Sequence, residues 1–526
     1  MSQVVEEVDS QTLHELIARV EHAIEHDLSL EPEDLRLLLK AIHTLMALQS
    51  RLEDKDVTLH KLRKLLGMVT SSEKRSNTAT GSSKGQSSRS QPKKPQKAMA
   101  PTTEHHALTD VKKGDPCPAC PNGRLTKHTP AILMRVTGSA PLAAVKHISE
   151  QLKCNLCDYV VRAPLPEAVT QDGEPQQQYG YSARSVMAIH KHFSGLPYYH
   201  QQTLNSLFGC PVTASTIFDQ CEYVANAVLP CFYELQRRAA NATLFYTDDT
   251  ANRILNQQPE ERPKRNGKGT QVRSGVYTSG IIAITPTGEE IDLYHTNLGH
   301  AGEFLDDLLR KRDPGQPPPL IMSDALSRNR PTVMDTSLIC LCNAHARRQF
   351  VDIETHFPDE VGWVLDHYGR VWANDRTAAE RGDDALQRLA YHQEHSLPIM
   401  ETIKAWCEQY LNSLTAEQHS GLGKACKYVL NHYAGLTQFC KTPGAPIDNN
   451  RVEERLKTPI RTRKNSHFYK TQIGADVANV LTSVIVTAYR NGVNPFDYLN
   501  AVQRCSALVK ENPADWMPWN APLGNS

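Results

Sequence analysis

Leu244-Phe245-Tyr246-Thr247-Asp248-Asp249-Thr250 opens the part of the chain whose pattern decides the fold. An apolar, β-favouring run leads straight into two acids, which reads as a buried strand delivering a carboxylate at its end. Strand-like runs follow at 276–284 and 291–296 with a Thr-Gly turn between them, then a helix over 301–311. Leu320-Ile321-Met322 is the next strand and ends at Asp324; Leu338-Ile339-Cys340-Leu341 precedes a helix opening with His345-Ala346-Arg347-Arg348. Residues 355–440 are helical in pattern and poor in strand, so they read as an insertion. Strand side chains alternate faces, so only one of Asp248 and Asp249 can point at a common site; Asp248 is the choice and Asp249 its rival.

Past the insertion comes Asp448-Asn449-Asn450-Arg451-Val452-Glu453, then Glu454-Arg455-Leu456-Lys457 and Arg463-Lys464-Asn465. Six Lys and Arg and no acid lie between positions 455 and 470. A carboxylate on a helix beside such a run suits a metal-bound acid working against a phosphate backbone. Phosphodiester cleavage with two metal ions about 4 Å apart needs converging carboxylates. Three antiparallel strands, a helix, a strand, and a further strand and helix is the order of an RNase H-like fold. In such a fold the ends carrying Asp248, Asp324 and Glu453 meet at one edge of the sheet. Glu454 lies a third of a turn from Glu453 and reads as a solvated or salt-bridged residue.

The Asp448-Asn449-Asn450…Glu453 run, with Arg463-Lys464-Asn465 at its spacing, resembles the signature that ends the catalytic domain of IS66-family transposases. Asp248-Asp249-Thr250 is similar to that family's Asp-Glu-Thr, and the run from Cys342 to Phe350 to its Cys-x-x-His-Ala-Arg-Arg-x-Phe. Positions 491–499 and 517–520 also resemble the family, whereas Asp324-Ala325-Leu326 departs from its Asp-Gly-Tyr. The resemblance implies a DDE transposase that cleaves and transfers DNA strands, with Asp248, Asp324 and Glu453 holding two Mg²⁺. Arg461, Arg463 and Lys464 are expected to hold DNA; His345, Arg347 and Arg348 contact DNA or support the site. Cys342 and His345 alone are two ligands, too few to hold an ion. A regulator that keeps the fold without turnover, and a zinc-containing nuclease without strand transfer, are the rival readings.

At 526 residues the chain is long enough for several domains. Its formal net charge of zero hides an uneven distribution, because the first 34 residues carry ten acids and one Arg while 74–97 and 455–470 are basic. Thirteen cysteines, no leader pattern and no apolar run of membrane-span length point to a soluble, cytoplasmic protein without disulfides, and the resemblance implies one associated with the nucleoid. Scattered cysteines such as Cys221, Cys231 and Cys407 are then small core residues.

Toward the N-terminus, Leu38, Leu45, Leu52, Leu59 and Leu66 form a heptad row, expected as a self-association coiled coil or an amphipathic helix packed in its own domain. Residues 71–108 are a polar, basic linker. Cys117-Pro118-Ala119-Cys120 and Cys154-Asn155-Leu156-Cys157 are two knuckles suited to one structural Zn²⁺, a redox pair being the competing reading. Residues 201–217 have the cadence of a helix-turn-helix, with Gly209 in the turn and Thr213 as cap, or of a plain helical hairpin. The expectation is thus a multidomain α+β chain: an N-terminal coiled coil (1–70), the linker, a zinc ribbon (109–165) and a helix-turn-helix-like domain (166–240). An RNase H-like α/β catalytic domain (241–475) follows with its helical insertion, then a helical tail (476–526). Its partners would be element ends and target DNA, copies of itself, and accessory proteins of the same element.

Overall fold

The computed structural model describes residues 16, 19, 20, 22, 23, 26, 30–37, 112–116, 124–125, 140–153, 160–174, 176–264, 269–333, 338–413 and 419–523. The heptad leucines from Leu38 on, the linker 71–108 and the four knuckle cysteines lie outside the described residues. The chain divides into two units, 1–86 and 87–526. In the first, Leu16 and Ala23 are buried and Arg19 pairs with Asp34 at 2.9 Å.

In the second unit, β1 (Gln151–Lys153) and β2 (Val160–Arg162) pair antiparallel, and α1 (Tyr181–His192), α2 (Tyr198–Leu207) and α3 (Ala214–Ala240) follow. Next come β3 (Leu244–Asn252), a hairpin of β4 (Glu260–Pro263) and β5 (Thr270–Arg273), β6 (Val276–Ile284), β7 (Glu290–Asn297) and α4 (Ala301–Leu309). β8 (Leu320–Ser323), β9 (Leu338–Leu341) and α5 (Asn343–Val351) complete the layer. The insertion holds α6 (Pro358–Arg381), α7 (Ala385–His395), α8 (Leu397–Asn412) and α9 (Gly421–Leu436), and α10 (Asn450–Ser466), α11 (Gln472–Arg490) and α12 (Pro495–Arg504) follow it.

Five strands form one mixed sheet in the order β7-β6-β3-β8-β9. β3, β6 and β7 are antiparallel neighbours, while β8 runs parallel to β3 and β9 parallel to β8. The element order read from the sequence is present, with one addition, the β4–β5 hairpin between the first two sheet strands.

Alternation along the strands sends neighbours to opposite cores. Phe245, Ile281, Ala283, Ile291, Leu293 and Ile321 pack with α1, α3, α4, α11 and α12. Tyr246, Ile282 and Met322 pack on the other face with α5, α6, α8, α9 and Val452 of α10. Helices assigned on sequence to 166–240 and 476–526 therefore share a core with the sheet, and the boundaries at 240 and 476 do not separate one core from another. The expected helical hairpin is present, with Gly209 at φ 81° and the Thr213 side chain capping α3 through the Thr216 N–H. Its second helix is 27 residues long and buried along its length, from Ile217 to Ala240. That is the role of a core helix; the apolar end of the first helix, Leu207 and Phe208, is exposed.

The outer edge of β7 is sealed by side chains of α11. Ser483 Oγ accepts the Tyr294 N–H at 2.9 Å, Thr487 Oγ1 the Asp292 N–H at 3.0 Å, and Asn491 Oδ1 the Glu290 N–H at 3.2 Å. Asn491 Nδ2 also donates to the Glu290 carbonyl at 2.7 Å. Four residues of helix rise about 6 Å and two residues of strand about 6.7 Å, so hydroxyls and amide spaced by four meet every second strand residue.

Candidate active site

Asp248 lies within β3, which continues past it to Asn252 and so does not end there as the sequence suggested. The parallel ladder with β8 reaches only Tyr246, so Asp248 stands just beyond the line where those two strands part. Asp324 directly follows the last residue of β8 and is buried. Glu453 occupies the first turn of α10. The helix start is tied to the sheet by Asn449, whose Nδ2 donates to the Thr247 carbonyl at 3.0 Å and whose N–H reaches Cys342 Sγ at 3.2 Å. Asp448 accepts the Trp372 indole N–H at 2.9 Å, fixing the turn against α6. The Asp-Asn pair thus holds the position of Glu453.

Gly280 is the cross-strand partner of Asp248. A Cβ built there would lie 2.8 Å from Leu456 Cδ2, so the missing side chain is what lets α10 settle on the sheet one turn beyond Glu453.

The structure brings Asp248 and Asp324 to one side-chain amide, with Glu453 near enough for its charge to act on Asp248. Asn329, on the short turn Ser327–Asn329, donates from Nδ2 to Asp324 Oδ1 at 3.1 Å and to Asp248 Oδ1 at 3.3 Å. Burial, reinforced by the charges of Asp324, Asp249 and Glu453 and opposed by the Asp249 N–H, pushes the Asp248 carboxyl up to about 7. Asp324 is also raised by burial, against hydrogen bonds from Asn329 and Leu326. Asp249 engages His300, Oδ2 to Nδ1 at 2.7 Å. Glu454 is exposed and pairs with Arg490 at 3.1 Å.

Glu453 Oε1 lies 3.7 Å from His345 Nδ1, and its Oε2 lies 4.0 Å from Arg348 Nη2. Both Glu453 Oε1 and His345 Nδ1 are buried atoms without a hydrogen-bond partner. Cys342, His345 and Glu453 place ligand atoms within 4.8 Å of one another. The two ligands seen in the sequence as too few are therefore joined by a third. Buried carboxylates bridged by a neutral amide, with an orphaned oxygen at Glu453, are an environment that a cation completes.

The expected DNA-facing residues divide. Lys464, Arg347 and Arg348 are exposed. Arg461 is exposed but donates to the Phe193 carbonyl at 2.6 Å, and Arg463 donates to Thr250 Oγ1 at 3.0 Å and to the Ala251 carbonyl. Arg455, counted with the basic run, is buried and pairs with Glu290 at 2.5 Å and Asp292 at 3.1 Å. Asn329 and His300 were missed by sequence reading. The Ser327-Arg328-Asn329-Arg330 turn shortly after Asp324 was the available signal for the first, and none marks the second.

Asp248 and Asp324 from two strands meet at Asn329, and Glu453 on the helix beside them shares ligand spacing with Cys342 and His345. A family model described as "Transposase IS66 family" matches residues 176–477, more than half of the chain, and the chain belongs to that family. Three proteins of Sinorhizobium fredii (strain NBRC 101917 / NGR234), each described as uncharacterized, are similar to it. The protein y4jD is 32% identical over 188 residues, covering 35% of this chain and 36% of its own length. The proteins y4hP and y4qI are each 23% identical, over 397 and 376 residues; y4hP covers 71% of this chain and 67% of itself, y4qI 69% and 66%. Family membership supports a transposase function, and no helix among the described residues is long and apolar enough to cross a membrane.

Proposed function

We propose that the chain is the DDE transposase of an IS66-like insertion sequence, binding element ends, cleaving a DNA strand and joining the freed 3′-hydroxyl to target DNA. The observation that carries this is the convergence of Asp248 and Asp324 on Asn329, with Glu453 acting on the same carboxyl. The sheet order supports reading the catalytic region as RNase H-like. Asp248, Asp324 and Glu453 would hold Mg²⁺, which when bound supplies Lewis-acid neutralisation of phosphate charge and a more acidic attacking hydroxyl or water.

The chain's own residues have separable tasks. Asn329 keeps the Asp248 and Asp324 carboxylates turned toward each other, and Asn449 holds the helix bearing Glu453 against β3. Exposed Lys464, Arg347 and Arg348 offer cations to phosphates flanking the one at the acids. Cys117, Cys120, Cys154 and Cys157 would hold one Zn²⁺. The antiparallel pairings on either side of each CxxC, Pro116 with Arg124 and β1 with β2, support a ribbon. Self-association through the heptad row and help from accessory proteins of the element belong to the same proposal.

Cleavage of DNA carrying the element's ends tests it. Asp248→Ala, Asp324→Ala and Glu453→Ala should each abolish Mg²⁺-dependent cleavage while leaving DNA binding, and Asp249→Asn and Glu454→Ala should keep substantial activity. Cleavage retained by any one of the first three removes that residue from the centre. A wild-type protein that binds ends and never cuts them supports the turnover-free regulator instead.

A further inference from the structure

Beside the acids, at the base of the β4–β5 hairpin, lies a cleft of about 610 Å³ lined by Lys264, Gln271, Arg273, Tyr277, His300 and Arg328, among others. Its size is that of a site for one small ligand, not of a trough for a duplex. Tyr277 and His300 form its aromatic surface, ring centroids 4.1 Å apart, and the Arg328 guanidinium lies 5.8 Å above the Tyr277 ring. Arg273 is neutralised by Glu303 at 2.6 Å and His300 is held by Asp249; among the described lining residues, Lys264 and Arg328 are exposed cations on the rim.

Two pairs of adjacent residues join this cleft to the acid centre. On β3, Asp248 faces the acids while Asp249 holds His300 on the cleft side. On the turn after β8, Asn329 bonds to Asp248 and Asp324 while Arg328 reaches over Tyr277. A nucleic-acid strand whose phosphate lies at the acids therefore has its neighbouring nucleotide at the cleft mouth. Aromatic faces with cations at the rim are the chemistry that receives an unstacked base and its phosphate. We propose that the cleft binds one unpaired nucleotide flanking the scissile phosphate, the base stacking on Tyr277 and the phosphate meeting Arg328 and Lys264. This rests on the reading of the chain as a DNA-strand-cleaving enzyme and adds to it a site that selects distorted or frayed DNA over intact duplex.

The test uses full-length protein, without divalent metal, and short duplexes of one sequence that are blunt or carry a single unpaired 2-aminopurine at one end. The wild type should bind the extended duplex about tenfold tighter than the blunt one and quench the 2-aminopurine, in keeping with the usual worth of one base–aromatic stack. Tyr277→Ala should lose the preference and the quenching, whereas Tyr277→Phe keeps both, because stacking needs the ring and not the hydroxyl. Arg328→Gln, a change at an exposed turn residue, should lose most of the preference, its loss of affinity being several-fold larger on the extended duplex than on the blunt one. Equal affinity of the wild type for both duplexes, or equal losses on both in the variants, overturns the cleft proposal while leaving strand cleavage untouched. No binding to either duplex overturns the DNA reading as well.

Discussion

Gly280 is a single-atom decision with a large reach, since the space it leaves opposite Asp248 is occupied by Leu456. Gly280→Ala should cost about 1–3 kcal/mol, the usual range for overpacking a filled core, and depress cleavage by moving Glu453 away from the aspartates. Leu456→Ala in the same chain should restore part of the cleavage, and a urea titration of both variants separates stability from placement. Asp248 sets the pH behaviour. Its folded carboxyl titrates at about 7 against an ordinary 3.8, so between those values the folded state holds a proton that the unfolded state has lost. Metal-free stability should therefore fall as pH rises from about 4 to 7, because ionising Asp248 in place is unfavourable. Metal must displace that proton, so Mn²⁺ or Mg²⁺ affinity should rise with pH up to about 7 and then level. Calorimetry in two buffers of different ionisation enthalpy reads the proton released; affinity that does not change between about pH 5 and 7 would sink the assignment.

At the scale of elements, α10 combines two tasks that its sequence presents as one basic run. Arg463 ties the helix to β3 through Thr250 and Ala251, whereas Lys464 is exposed. Lys464→Gln should flatten the salt dependence of DNA binding by about 0.9 in slope, one phosphate contact, with the melting temperature unchanged. Arg463→Gln should lower the melting temperature first; a full unit of slope lost there with no change in melting would reverse the division. The strands and the helical insertion were legible because alternation and helical periodicity are local patterns; the grouping of Asp248, Asp324 and Glu453 was not a local pattern and came from the order of elements and the family resemblance. The burial of Arg455 was not, because its partners Glu290 and Asp292 are more than 160 positions away and no local pattern links them. The β4–β5 hairpin was hidden for a different reason: its residues are largely exposed and polar, so no buried face imposes a period.

For the molecule as a whole, the shared core decides what can be cut away. Val477, Leu481, Val484 and Ile485 of α11 and Tyr498 and Leu499 of α12 pack with Phe245, Ile281 and Leu293 of the sheet, and α3 lies in the same cluster. A fragment of residues 241–475 keeps all three acids yet exposes that face. It should therefore fail to give a cooperative thermal transition, while a fragment of residues 166–523 should give one. Differential scanning calorimetry of the two decides it, and a sharp transition in the shorter piece would show that the sheet needs neither flank. The boundaries read at 240 and 476 followed changes in composition, which mark where helix gives way to strand but not where one core stops.

The row of Ser483, Thr487 and Asn491 along β7 has a consequence for how copies of the chain can meet. An open strand margin is a template on which another chain can nucleate cross-strand growth. Here the outward N–H groups of Glu290, Asp292 and Tyr294 are already spoken for, so that margin offers no purchase to a neighbour's backbone. A second copy of the chain is thus turned away from this margin of the sheet as a place for strand addition.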